Sequence, residues 1–313
     1  MKRLSFFLKL AVSGLLLFFL FDRIDLADVY TVYKQSNHML LIGAFALVLL
    51  GESLCVVRLR VLLALRGALY SFKELFRIYF MGVSAGSFLP SSLGADVFKF
   101  FLLRKHGAGS KTDLASSLIA DRIAGSLGLL LIVFGAALVS RAEVKELFSL
   151  VFGDGRGEQV SAVLLVAALV LFVLGYVFRA MVLRMREEAQ RFLSRRRAIA
   201  KVMSLAVLYQ LLLVGATFLI YQAISSAPTV SALSFLVFVP LINLVIALPI
   251  SINGIGVREW LFVLLFSPLG AASSEMVAVS LMLLFFIILE GAIGGLFFST
   301  YERFEVNRIS PLV

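Results

Sequence analysis

Six apolar runs, each long enough or nearly long enough to cross a bilayer, leave this chain little choice of environment. They cover roughly residues 5–21, 38–57, 114–139, 160–182, 201–223 and 275–299. A crossing helix needs about 20 apolar residues, and in lipid every backbone polar group must find its partner within the protein. Of the 313 residues, 61% are hydrophobic and only 15% charged. A soluble domain carries about a quarter charged residues. The expectation is an all-α integral membrane protein, with one polytopic domain spanning 1–313.

Two further apolar segments are interrupted. "LPSSLGADVFKFFLLRK" (89–105) and "LPISINGIGVREWLF" (248–262) place Pro, Gly and charge inside otherwise oily sequence. Each segment has the length of a helical hairpin that enters the membrane, breaks and returns. Such backbone is tolerated at membrane depth only where protein or a polar cavity satisfies it. The breaks are expected at Pro90 and Gly94, and at Pro249, Gly254 and Gly256.

Charge orients the chain. With the N-terminus inside and both interrupted segments as hairpins, the cytoplasmic stretches 1–4, 58–77, 99–111, 179–201 and 302–313 hold 21 Lys and Arg. The outer stretches 22–37, 140–158, 225–231 and 267–274 hold five. That bias fits the positive-inside rule, with both termini cytoplasmic. It also accounts for the net charge of +10, so nucleic acid is not expected as a partner. The start, Met1-Lys2-Arg3 and an apolar run, lacks a small-x-small cleavage site and reads as a retained helix, with Lys9 snorkelling.

A shift of 159 residues carries Leu89-Pro90 onto Leu248-Pro249, Ser92 onto Ser251 and Lys99 onto Arg258 without a gap. The same shift aligns spans one to three with spans four to six. Halves 1–140 and 158–300 are therefore expected to be inverted repeats, a pattern that often marks transporters. The second half-helix of each hairpin would begin near the midplane. Its free N–H groups and positive dipole end favour an anion there.

Lys99 and Arg258 fall in the early turns of these half-helices. A cation at the centre of a helix in lipid costs roughly 2.5–3.5 kcal/mol, so both are expected to face a cavity and to have partners. Asp96 and Glu259 are the nearest carboxylates, and an anionic headgroup could replace them. Ser92 and Asn253 are candidate binding groups or helix caps, and Ser91 is a candidate helix cap. Adjacent Asp121 and Arg122 point about 100° apart and should meet partners on neighbouring helices, as a binding group or a structural ion pair. Glu52 and Glu290 are lone acids in apolar runs, proton carriers or neutral hydrogen-bonded groups. Asn243 reads as an interhelical hydrogen-bonding residue, and Gly291-x-x-x-Gly295 as a close-packing motif.

Other chemistry finds no footing. Cys55 is the only cysteine, and His38 and His106 stand alone, so no metal site is expected. "GAGSKT" (107–112) lacks the P-loop order, and no H-E-x-x-H, C-x-x-C or G-x-S-x-G occurs. No cofactor and no catalytic residue are expected.

"FLPSSLGADVFKFFLLRK", "ADRIAG" (120–125) and "LPISINGIGVRE" (248–259) resemble the flippase-like family built on the lysylphosphatidylglycerol synthase transmembrane region. The resemblance covers most of the chain. Where relatives carry a Gly-Gly-Asp or similar and then a basic residue, this chain has Gly94-Ala95-Asp96 and Lys99, a slight departure that bears on headgroup preference more than on fold. The resemblance implies a bacterial or archaeal cell-membrane protein that moves or handles anionic or glycosylated lipids. In the multiple peptide resistance factor such a region precedes an aminoacyl-transferase domain; here no lysyl transfer is expected. The leading expectation is a lipid flippase with the headgroup held between the hairpins. The alternatives are a membrane-embedded transferase on a polyprenyl-phosphate lipid, and a non-catalytic partner of a separately encoded lipid or glycolipid synthase. A membrane lipid is the expected substrate, and a second copy of the chain a candidate partner.

Overall fold

Long apolar runs without internal caps become long helices, because an uninterrupted i to i−4 ladder is the cheapest way to satisfy backbone away from water. The computed structural model describes residues 26–88, 94–105, 109–139, 196–247 and 254–309, with Lys145, Ser149 and Ser251. The spans expected over 5–21 and 160–182 lie outside the described residues. So do residues 184–195 of the charged connection and Pro90, Ser91, Ser92, Pro249 and Asn253.

Among the described residues the chain is helical and has no strand. In order come α1 (Leu26–Gln35), α2 (His38–Ala64), α3 (Phe72–Phe88), α4 (Gly94–Lys105) and α5 (Lys111–Val139). Then follow α6 (Arg196–Ile224), α7 (Ala232–Ile246), α8 (Val257–Phe266), a 3-10 turn (Ser267–Leu269) and α9 (Ser273–Ile309). Four helices are long and apolar enough to cross a membrane: His38–Ala64, Lys111–Ala136, Arg196–Ile224 and Ser273–Phe298. At ~1.5 Å per residue each exceeds the ~30 Å hydrocarbon core. Ile42, Leu131, Phe134 and Ile288 on these helices are exposed, as side chains facing lipid would be.

Local signals set the ends. Asn37 starts α2 by accepting from the Met39 and Leu40 amides at 3.0 and 3.3 Å. Ser231 starts α7 by accepting from the Ser234 amide at 3.3 Å. Gly254 and Gly256 take positive φ values of 80° and 84° immediately before α8, a turn that side-chain-bearing residues resist.

Around two central helices, α2 and α6, which pack along each other most extensively, lie two pairs of shorter ones. In the first pair, α3 packs on α4 and on α9; in the second, α7 packs on α8 and on α5. Each pair has its own apolar cluster. One gathers Leu59, Leu75, Ile78, Phe80, Met81 and Leu103; the other gathers Tyr221, Phe235, Phe238, Phe262 and Phe266. Without a hydrophobic drive between helices in lipid, close packing holds them. At Gly294 on α9 an added Cβ would run into the Phe80 carbonyl oxygen of α3, so the tightest approach falls at Gly294, beside the expected Gly291-x-x-x-Gly295 pair, while a Cβ at Gly295 would make only ordinary contact with Ser84.

Three boundaries differ from the sequence reading. Arg58 was expected to open a cytoplasmic stretch, but α2 runs on to Ala64 and buries it, 4% exposed. Lys99 was counted at the start of another such stretch; it is buried inside α4. A short helix, α1, lies in the outer stretch expected over 22–37. In the first two cases the pairing described next keeps a cation inside where hydropathy alone would end the span.

Candidate functional site

On α4, Asp96 and Lys99 are three residues apart and therefore share a face. Their charged groups lie 3.5 Å apart, with Lys99 6% exposed. The Lys99 ammonium also sits 3.8 Å from the centre of the Tyr79 ring on α3, a cation–π contact made in a desolvated setting. Gly82 on α3 makes this approach possible, because a Cβ there would collide with the Lys99 stem.

Asp96 is shared. Arg122 on α5 also donates its Nε–H to it. The neighbouring Asp121 turns away and meets Arg58 of α2 in a two-pronged pair, 2.6 Å from Nε and 3.0 Å from Nη2. Such fork-on-carboxylate geometry is among the stronger protein hydrogen-bonding arrangements. Two adjacent residues on α5 thus clip two different helices, as their angular separation requires. Arg58 is flanked by Tyr209 of α6, whose ring centre is 6.0 Å away. Gln210 donates to the Gly125 carbonyl at 3.5 Å beside it. Arg58 Nη1 and Gln210 Oε1 are buried with no hydrogen-bond partner.

The second group gathers at the start of α8. The Gly256 amide donates to Glu259 Oε2 at 2.6 Å, so the helix start is occupied by the chain's own carboxylate. Ser280 on α9 donates to Glu259 Oε1 at 2.8 Å and accepts from Arg258 Nε at 3.2 Å. Arg258 and Glu259 are themselves 3.8 Å apart. They are 5% and 0% exposed, and Arg258 Nη2 is buried without a partner.

Of the residues singled out from sequence, Asp96, Lys99 and Arg122 come into direct contact, and Asp121 joins them through its neighbour. Arg258 and Glu259 form their own group. Among the described residues no ion pair or hydrogen bond links the two groups. Gly94 is buried at the first position of α4, with Ala95 packed against Gly86. Ser92 and Asn253 lie outside the described residues. No hydrogen bond to another helix is made by the side chain of Asn243 among the described residues. Arg58, Tyr79, Tyr209 and Ser280 were missed. For Ser280 a signal existed: it lies 159 residues after Asp121, as Arg258 lies 159 after Lys99.

Chemically, these groups are fixed cations in low dielectric, neutralised by carboxylates and retaining unspent N–H donors. The profile of the lysylphosphatidylglycerol synthase transmembrane region matches residues 6–294, nearly the whole chain. The chain belongs to that family. No curated protein matches it closely enough to count as a relative. Membership, with four membrane-length helices, makes this family member a multi-pass membrane protein related to lipid synthesis or flipping.

Proposed function

We propose that this family member is a flippase for an anionic or glycosylated lipid, of phospholipid or polyprenyl-phosphate type. The headgroup binds near the midplane between two re-entrant hairpins, α3–α4 and α7–α8, while the tails stay in the bilayer. Six spans and two hairpins form an inverted repeat in the cytoplasmic membrane, with both termini inside. The observation that carries this reading is the burial of Lys99 and Arg258, one repeat spacing apart and each on a short helix.

Further support comes from packing. Each short-helix pair leans on the last long helix of the other half, α3 on α9 and α7 on α5. A rocking motion of two interlocked halves about a central site is the alternating-access scheme such repeats permit. In the resting state Asp96 and Glu259 neutralise the cations. A phosphate or similar anion displaces them and takes up the spare donors of Arg58 and Arg258, whose forked groups suit it. Ser92, Asn253, Asp121 and Arg122 complete the proposed binding set.

The test is headgroup translocation in proteoliposomes. Arg258→Ala and Asp96→Ala are each expected to reduce the rate at least about tenfold, with folded protein verified by its elution profile. Wild-type rates in both variants would end this reading. The family description also supports a second one, a membrane partner of a separately encoded lipid synthase. Stoichiometric co-purification of such an enzyme, with no translocation by the chain alone, would favour it.

A further inference from the structure

Two carboxyl groups take no part in the networks assigned to the headgroup. Glu52 lies midway along α2, and Glu290 lies on α9, 5% exposed. The Phe45 and Phe286 rings, 5.0 Å apart, bring α2 and α9 together. Glu52 follows Phe45 by seven residues and Glu290 follows Phe286 by four, so both return to the stripes that carry those rings. The two carboxyl groups act on each other electrostatically. Tyr209 of α6 lies between the helices. Its hydroxyl is 3.3 Å from Glu52 Oε1, and its ring rests against Gly51, where a Cβ would come within 3.1 Å.

Glu52 Oε2 and Glu290 Oε1 are both buried and both without a hydrogen-bond partner. Burying two ionised carboxylates near each other is strongly unfavourable, and sharing a proton relieves it. Among the described residues no three His, Cys, Asp or Glu side chains are grouped to hold a metal ion.

The surroundings tie this pair to Lys99. The Tyr79 ring of α3 carries the Lys99 ammonium. Lys99 of α4 and Arg58 of α2 both act on Glu52. Cys55 of α2 and Asp121 of α5 share the same electrostatic neighbourhood. Farther along α9, Tyr33 of α1 donates to the Ala278 carbonyl, and Arg258 and Glu259 of α8 engage Ser280.

We propose that Glu52 and Glu290 form a proton-binding carboxyl pair that couples proton movement to anion binding at Lys99. The proposal rests on the transport reading above. A proton arriving from the water on one side forms an O–H bond on one of the two carboxylates. Lys99 then loses a neighbouring negative charge and holds an anionic headgroup more tightly. Release of the proton to the other side restores that charge and weakens the hold. Proton and headgroup therefore bind together, and by linkage each strengthens the other.

The experiment uses the full chain in liposomes containing phosphatidylglycerol with a fluorescent acyl chain, under an imposed pH gradient. The wild type is expected to enrich the probe several-fold in the leaflet facing the alkaline side. Glu52→Gln and Glu290→Gln are expected to exchange the probe between leaflets but to lose that enrichment. A wild type that moves the probe yet ignores the pH gradient, or follows a sodium gradient instead, overturns the proposal and leaves the flippase reading intact. Infrared spectroscopy of the purified protein reads the pair without transport. A protonated-carboxyl band is expected in the wild type and should weaken in each Gln variant; its absence overturns the proposal. The band without any probe movement sustains the proton site and removes the flippase reading.

Discussion

Asp121 shows how much one side chain decides inside this protein. It answers the buried Arg58 guanidinium with two hydrogen bonds, so its loss strands a cation in low dielectric. Breaking one side of a buried pair typically costs about 3–5 kcal/mol, whereas replacing both partners with apolar groups is far milder. Asp121→Asn is therefore expected to lower the unfolding midpoint in detergent sharply, and Arg58→Leu/Asp121→Leu to recover most of it. Two glycines give a second comparison at this scale. Gly294→Ala forces a methyl onto the Phe80 carbonyl and should cost about 1–3 kcal/mol or more by overpacking. At Gly135, 159 residues earlier, the same methyl meets nothing within 4 Å among the described residues. Gly135→Ala is expected to be neutral, or to stabilise by up to about 1 kcal/mol through helix propensity. Thermal scans of the two variants side by side decide both.

At the scale of an element, α8 is a helix whose start is built rather than merely capped. Gly256 at φ 84° turns the chain in, and Glu259 folds back from the third position to take the Gly256 amide. Ser280 then fixes the other carboxylate oxygen and Arg258 together. Glu259→Gln keeps an acceptor for that amide, while Glu259→Ala leaves it and the buried Ser280 hydroxyl unanswered. The thermal midpoints are expected to fall in the order wild type, Gln, Ala, because an unsatisfied buried polar group costs about 1–3 kcal/mol. Gly256→Ala should cost a similar amount through backbone strain. The first helix pair solves its own problem differently, with Asp96 divided between Lys99 of its own helix and Arg122 of α5.

For the whole molecule, the α2–α6 seam is the axis along which the parts are joined. A Cβ at Gly51 would lie 3.9 Å from that of Leu212, within the range a disulfide bridges. Gly51→Cys/Leu212→Cys is expected to form that bridge in membranes, detected as protection of both thiols from a mass-adding maleimide. The Tyr209 ring must shift by a few tenths of an ångström to admit the new side chain. The native Cys55 is buried and does not compete. If the halves rock about this seam, oxidation should slow translocation and a reductant should restore it. Full translocation with the bridge closed would show that the seam stays rigid during transport.

The sequence by itself determined that this chain lives in a membrane and is helical, because continuous apolar runs have no other way to satisfy their backbone. It also singled out the polar residues worth watching, since a charge in such a run is costly wherever it lies. Asp121 and Arg122 were legible as residues reaching for different helices, from nothing more than helical geometry. Arg58 was not: a cation after an apolar run reads as the run's end, and only the arrival of Asp121 from α5 shows that it stays inside. Tyr79 and Tyr209 look like any membrane aromatic until the Tyr79 ring is seen against Lys99 and the Tyr209 hydroxyl beside Glu52. Which charges neutralise one another, and which donors remain unspent, depends on contacts between distant segments. Those contacts belong to the tertiary structure, because a low-dielectric interior makes a charge's meaning depend on its neighbour rather than on its place in the chain.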